Sequence, residues 1–308
     1  TATGYKALRV NTTGAHNTAV GQSAMVANTT GADNTSVGSL SLDANTTGGQ
    51  NVAVGVNALG VNSTASYNTA LGFAALTDNT TGAENVAVGY LALGDNTTAD
   101  NNTAMGYAAL RVNTGQSNTA IGHQAMIANT TATYQTAVGR DALGSAADNT
   151  AVGWGALRYN TTGPGNTAIG MEALVDNTTA EYNVAVGRQA LQNNTTGDTN
   201  VAVGANAMDV NTTGSDNVAM GKDALRLNTT AAGNTAIGKD SLRSNTTGPH
   251  NVAVGMGALQ LNTTAEYNVA VGRNAMNQNT TGIRNIGIGY QALTNNTTAN
   301  YNVSMGFQ

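Results

Sequence analysis

A glycine returns every 17 residues along this chain: Gly4, Gly21, Gly38, Gly55, Gly72, Gly89 and Gly106 form one run, and Gly153, Gly170, Gly187 and their successors to Gly306 form another. A fixed period this short restricts the chain to a stack of like units, because 17 residues cannot enclose a core alone. Two intervals are shorter. Gly106 to Gly122 spans 16 residues because Asn113-Thr114-Gly115 lacks one threonine, and Gly139 to Gly153 spans 14 because the Asn-Thr-Thr element before Asn149 is missing. Both losses fall in the same part of the repeat, which is expected to be a loop or corner.

Counted from that corner, the repeat reads N-T-T-G/A-x-x-N-T/V-A-V/I-G-x-x-A-L/M-x-x, with residues 11–27 as the first full copy and about eighteen copies in all. Position 10 is always aliphatic or Met (Val20, Leu71, Ile121, Met220), and position 15 is always Leu or Met (Leu8, Met25, Leu59, Met276). Both columns are expected to form the core. Position 8 is Thr or β-branched, so positions 8 and 10 share one face of a short strand while Ala19 and Gly21 take the other.

Helix is disfavoured, since each repeat carries glycine, Asn-Thr pairs and β-branched residues, and no amphipathic run is long enough. The strand must then pair with its equivalent in the next copy. The expected fold is all-β, a parallel β-solenoid of 17-residue coils with two or three short strands each. At about 4.8 Å per coil it would form a rod on the order of 85 Å long. The chain reads as one continuous array over residues 1–308, starting and ending inside a repeat, and is expected to be an uncapped piece of a longer polypeptide.

Two asparagine columns accompany the glycines. Position 1 (Asn11, Asn28, Asn45) and position 7 (Asn17, Asn34, Asn51, Asn68) recur nearly without exception, Gln135 being the one amide replacement at position 7. Stacked at strand spacing, such amides can form hydrogen-bonded ladders, and Asn tolerates the left-handed backbone of a corner. The Asn-Thr-Thr triplets from Asn11 to Asn296 are also glycosylation sequons, though the needs of the corner already account for them. Val and Leu contribute only about 1.5–3 kcal/mol each when buried. So thin an aliphatic core suggests that the small Ala and Gly faces pack against another chain, which predicts a homo-oligomer.

Composition excludes several classes of function. A net charge of −5 with no Lys/Arg cluster offers no field for nucleic acid. No stretch approaches the length of a membrane helix, so membrane insertion is not expected. Cysteine is absent, which removes disulfides and thiolate metal sites.

The segments Asn17-Thr18-Ala19-Val20-Gly21-Gln22-Ser23-Ala24, Asn166-Thr167-Ala168-Ile169-Gly170 and Asn251-Val252-Ala253-Val254-Gly255 resemble the head repeats of trimeric autotransporter adhesins. They are also similar to the N-T-A-V-G repeats of phage tail fibres and of surface proteins that carry an endosialidase-type chaperone domain. The resemblance covers the whole chain and implies a left-handed β-roll, a homotrimer and display on a cell or virion surface. The adhesin repeat is shorter, and the added Asn-Thr-Thr corner is a departure from it.

Catalysis needs unlike groups converging on one spot. His16, His123 and His250 lie in distant coils or different columns and read as solvent-facing, while Asp33, Glu84, Asp216, Asp141, Glu172, Asp223 and Asp240 are dispersed. Asp223 and Asp240 each follow a lysine, Lys222 and Lys239, and read as a solvated charge stripe. No glycine belongs to a phosphate loop, and no calcium-binding glycine-aspartate repeat is present. The expectation is a protein that is not an enzyme, with no catalytic residue, metal or cofactor.

Position 12, just after the repeated glycine, gathers the large side chains: Phe73, Tyr90, Tyr107, His123, Arg140, Trp154 and Arg188 lead the column. A second line at position 6 carries Tyr67, Tyr134, Tyr182, Tyr267 and Tyr301. The position-12 stripe has two readings. It is a contact surface for a host glycan or protein receptor, or it packs along the rod and between chains, which is the preferred reading. The sequence therefore predicts an extracellular structural and adhesive fibre segment, either a phage-type tail fibre shaft or a bacterial surface adhesin. A self-stacking secreted filament of end-to-end coils is the alternative. From another class comes an ice-binding solenoid, disfavoured because Thr12 and Thr13 are consecutive and would point to opposite faces.

Overall fold

Residues 8 to 10 of each full repeat form a strand three residues long, Thr18–Val20 in the first full copy, and strands pair in parallel with their equivalents one repeat later, from Thr18–Val20 to Thr136–Val138 and again from Thr150–Val152 to Val303–Met305. The computed structural model describes residues 1–307. Register is set by the repeat itself: Thr18 faces Thr35, Ala19 faces Ser36 and Val20 faces Val37. The short repeat keeps the pairing, with Thr103 opposite Thr119. Among the described residues there are nineteen strands, all parallel where paired, and no helix, which makes the fold an all-β solenoid of about eighteen turns.

The chain divides into two units, Thr1–Asp148 and Asn149–Gln308, and the division falls in the 14-residue repeat. The first unit holds a strand at Ala2–Thr3 and eight more from Thr18–Val20 to Thr136–Val138. The second holds ten, from Thr150–Val152 to Val303–Met305.

Each coil has one strand rather than two or three. Its other sides are bends and turns that still bond along the stack, as in Met25 N–H to the Ser41 carbonyl (3.0 Å) and Thr12 N–H to the Thr29 carbonyl (2.9 Å). After the strand come three overlapping turns, closed by Ala24 N–H to Gly21 O, Val26 N–H to Ser23 O and Asn28 N–H to Met25 O. Ser23 and Met25 occupy the third positions of the first two, both with left-handed φ, +55° and +51°. This backbone explains why position 15 is Leu or Met and never Val or Ile. A β-branched side chain is a strong outlier at positive φ, and position 15 holds that conformation in Leu93 (φ +49°) as in Met25.

Strand burial reverses one sequence expectation. Ala19 is fully buried and Val20 is 37% exposed, a pattern that returns in every strand with a full set of neighbours: small residue in, Val, Ile, Leu or Met out or half-exposed. Position 10 is therefore an outer column, and the core consists of the alanines at positions 9 and 14 with the Leu or Met at position 15. The reason is space. Where Gly287 replaces alanine, an added Cβ would come 2.8 Å from Met276 Cγ, so position 9 already lies against the position-15 side chain of the preceding coil. A valine there would not fit. The small alanine face also cannot be a contact with another chain, because it points inward.

The two amide columns fill the rest of the interior. Asn28 donates through Nδ2 to Asn11 Oδ1 (2.7 Å) and to the Gly31 carbonyl (3.0 Å). Asn45 repeats both bonds one coil later, to Asn28 Oδ1 (2.8 Å) and Gly48 O (3.0 Å). In the position-7 column, Asn34 N–H donates to Asn17 Oδ1 (2.9 Å), Asn51 N–H to Asn34 Oδ1 (2.9 Å) and Asn68 N–H to Asn51 Oδ1 (3.0 Å). Buried polar groups are tolerated when paired in this way. Gln135 keeps the ladder, its N–H donating to Asn118 Oδ1 (3.1 Å), and its longer side chain donates to the Ala146 carbonyl as Asn34 Nδ2 does to the Gly48 carbonyl (2.9 Å).

Candidate functional surface

Two features of the surface could act on a partner: the outward side of the strands and the corners that flank it. On the outward side, position 8 (Thr18, Val52, Thr69, Val86) alternates with position 10 (Val20, Val54, Leu71, Val88), a pleated face that bears no charge. In the second unit the same two columns run through Val184, Val186, Val201 and Val203. Valine at these positions is wet in the isolated chain, and a long contiguous apolar face is a marker of an interaction site.

The position-12 column borders this face. Phe73, Tyr90, Tyr107 and His123 stack on one another with ring centroids 5.3, 5.3 and 5.1 Å apart and planes within 11° of parallel. Strand spacing imposes this, since identical positions recur at nearly the thickness of a ring. The consequence for recognition is that the inner faces of these rings are occupied by each other and the edges face solvent. Arg140 closes on Asp141 (3.3 Å), while Trp154 and Arg188 stay exposed at the same corner.

The position-6 column behaves differently. Tyr134 is 70% exposed, with Ser117 and Asp148 as its column neighbours, so no ring stands beside it. Tyr67, between Gln50 and Glu84, is placed likewise. Farther on, His250 stacks on Tyr267 (5.2 Å), and Arg284 lies between Tyr267 and Tyr301 at 5.4 and 5.8 Å from their centroids. Arg284 also donates to the Tyr301 hydroxyl (3.0 Å). That cation sandwich escaped sequence reading because only the tyrosines of the column were counted. Free aromatic faces are thus a property of position 6 more than of position 12.

Among the described residues, the charged groups pair within a coil or with the next one. His16 bonds Asp33 at 3.2 Å in the exposed part of its corner. Asp223 and Asp240 are not a solvated stripe as expected. Asp223 is 8% exposed, and it meets Lys222 (3.6 Å), Arg226 (3.9 Å) and Asn206 (3.3 Å), while Asp240 meets Lys239 (3.1 Å) and Arg243 (3.8 Å). The turns at positions 13 and 16 tuck these side chains against the coil. Burial raises the Asp209 carboxyl above its ordinary range, and Arg226 at 3.5 Å opposes that rise. Burial likewise raises Asp43, against the pull of the backbone N–H groups of Asp43 and Ala44. Among the described residues, no group of three or more His, Asp or Glu is placed to hold a metal ion, and no helix is long and apolar enough to cross a membrane.

No protein-family model matches the chain, and a search of curated proteins finds no match.

Proposed function

We propose that this chain is a non-enzymatic structural and adhesive segment of an extracellular fibre, of the kind found in phage-type tail fibres or bacterial surface adhesins, that works as a homo-oligomer. The observation that carries this reading is the uncharged outward face of positions 8 and 10, which none of the described residues covers. A trimer is the expected assembly by the resemblance of the repeats. Side chains at the corners, above all the free rings of Tyr67 and Tyr134 and the indole of Trp154, are the surface offered to a glycan or protein receptor.

The repeat supports the structural part of the role. Within each unit, coils of full length bond to their neighbours through backbone and amide ladders, so stiffness is built into the repeat. Electron microscopy of the purified chain tests the reading: particles wider than one coil are expected, and particles of single-coil width would refute the oligomer.

Ice binding is the second reading, supported by one feature: threonine recurs on the outward strand face at position 8 (Thr103, Thr119, Thr136). The large Leu71, Met105 and Met220 roughen the adjoining column. Thr12 offers no free grid either, because its Oγ1 donates to the Thr29 carbonyl (2.9 Å). A thermal-hysteresis assay is expected to give no activity, and measurable hysteresis would install this reading instead.

A further inference from the structure

Two glycines stand at position 6, Gly165 and Gly233, and each is followed one coil later by a ring, Tyr182 and His250. Both rings lie back over the glycine. A Cβ on Gly165 would meet Tyr182 Cδ1 at 2.6 Å and Cε1 at 2.8 Å, and one on Gly233 would meet His250 Nδ1 at 2.6 Å. The backbone alone does not ask for glycine here, since position 6 is left-handed with other residues too, as at Ser117 (φ +58°) and Tyr182 itself (φ +56°). Glycine is what leaves room for the ring. The two seats differ on the ring's other side. His250 is roofed by Tyr267 at 5.2 Å. Tyr182 is followed by Thr199, whose hydroxyl turns the other way and donates to Asp216 Oδ1 in the coil beyond. Tyr182 and Thr199 thus lean apart, and the tyrosine stays 60% exposed with no ring or cation of the described residues stacked on it.

Fixed acceptors border the open face. Asp198 Oδ1 accepts the Glu181 N–H (2.9 Å), which holds this carboxylate beside the coil of Tyr182, and Asp216 Oδ1 is held by Thr199. Among the described residues, the second oxygen of each carboxylate receives no hydrogen bond. We infer that Tyr182 is the floor of a subsite for a pyranose that carries no acid group, the sugar's C–H face laid on the phenol ring and its edge hydroxyls donating to Asp198 and Asp216. This rests on the receptor contact proposed above and adds where one sugar sits and to which class it belongs. A pyranose has an apolar face about the size of one aromatic ring and hydroxyl donors around its edge, which is the complement of a bare ring with acceptors beside it. An ionised carboxylate accepts hydrogen bonds and donates none, so apart from the Tyr182 hydroxyl this rim has nothing to give the carbonyl groups of a peptide. A sugar bearing a carboxylate sets like charge against Glu181, Asp198 and Asp216 and is rejected.

The test uses the full chain and saturation-transfer NMR, with tetrasaccharides of glucose, galactose and mannose as probes and a galacturonate tetrasaccharide as the acidic counterpart. At least one neutral probe is expected to receive saturation on its ring C–H protons, and the galacturonate none. Tyr182→Ala is expected to weaken that binding at least about tenfold. Gly165→Ser, a residue that position 6 already accepts at Ser117, is expected to weaken it too by pushing the ring off its seat, with the β signal in circular dichroism unchanged. Binding that survives Tyr182→Ala but is lost in Tyr67→Ala/Tyr134→Ala would leave receptor contact standing and overturn this subsite. Galacturonate bound as tightly as galactose would overturn the acceptor rim. No transfer to any probe would remove the subsite and leave the fibre reading, which rests on the outward strand face, in place.

Discussion

The hydroxyls of Ser36 and Ser41 lie 2.6 Å apart across the interior of one coil, at the two positions that are alanine in most other coils. Ser36 Oγ also donates to the Ser41 carbonyl (2.9 Å), and Ser41 Oγ to the Gly38 carbonyl (2.9 Å). Positions 9 and 14 therefore face each other; serine is also admitted at position 14 alone, where Ser241, in the coil of Ala236, donates to the Gly238 carbonyl (2.8 Å). A double-mutant cycle should show the contact. Ser36→Ala or Ser41→Ala alone is expected to cost about 1 kcal/mol, and the pair together close to nothing, as when both partners of a buried hydrogen bond are removed. Equal and additive losses in urea denaturation would argue that the two do not interact.

The left-handed backbone at position 15 makes a prediction that hydrophobicity alone does not. Leu93→Met keeps an unbranched Cβ at φ +49° and is expected to cost under about 1.5 kcal/mol. Leu93→Ile, equal in volume, is expected to cost roughly 1–3 kcal/mol more, because a branched Cβ is strained there. The same Val→Ile change at outward Val88, which is extended, should be near neutral. Matched losses for the two Leu93 variants in chemical denaturation would mean that packing, and not backbone, selects this residue.

Much of the fold was legible in the sequence because recurrence exposes register: the 17-residue glycine period gives the pairing of Thr18 with Thr35 directly. What could not be read was which strand face is interior. Valine at position 10 outranks alanine at position 9 in hydrophobicity, and only the crowding of position 9 against the Leu or Met column shows that the smaller residue must go inside. The surface was legible as columns, since all large side chains of position 12 share a corner. The orientation of the rings was not, because whether Tyr90 offers its face or its edge depends on stacking against Phe73 and Tyr107 at 5.3 Å.

Asn79 tests the amide ladder. It donates to Asn62 Oδ1 (3.1 Å) and to the Gly82 carbonyl (2.9 Å) and is fully buried. Asn79→Ala leaves Asn62 Oδ1 unmet, while the Gly82 carbonyl keeps its bond from Asn68 Nδ2 (2.9 Å), and is expected to cost about 1–3 kcal/mol for the stranded group, seen as faster amide exchange in the coils on either side. The same burial makes the Asn-Thr-Thr sequon unusable once the coil has formed. Peptide mass spectrometry of chain refolded before exposure to a glycosylating extract should find Asn79 unmodified, and glycan on folded chain would contradict the buried ladder.

Asp43 sets a pH dependence of known sign. Burial raises its folded-state pKa above the ordinary carboxylate value, so the folded state holds this proton more tightly than the unfolded state. Its ionisation therefore lowers stability as pH rises through the folded pKa, and the penalty is relieved as pH falls back through it. Asp43→Asn is expected to be more stable than the wild type at neutral pH, with the advantage shrinking below the carboxylate range. A carboxyl titration by NMR should place Asp43 above its solvent-exposed counterparts, and a depressed value would reverse the prediction.

The most direct test of the account as a whole is the solution mass of Val186→Glu/Val203→Glu, with circular dichroism on the same sample. Outward-facing valines on a self-docking surface predict that the wild type sediments as a multiple of its 30.9 kDa chain, while the variant keeps its β signal and falls to 30.9 kDa. Loss of the β signal would place these valines in the core, and a wild type of 30.9 kDa at every concentration would leave the face without the partner assigned to it.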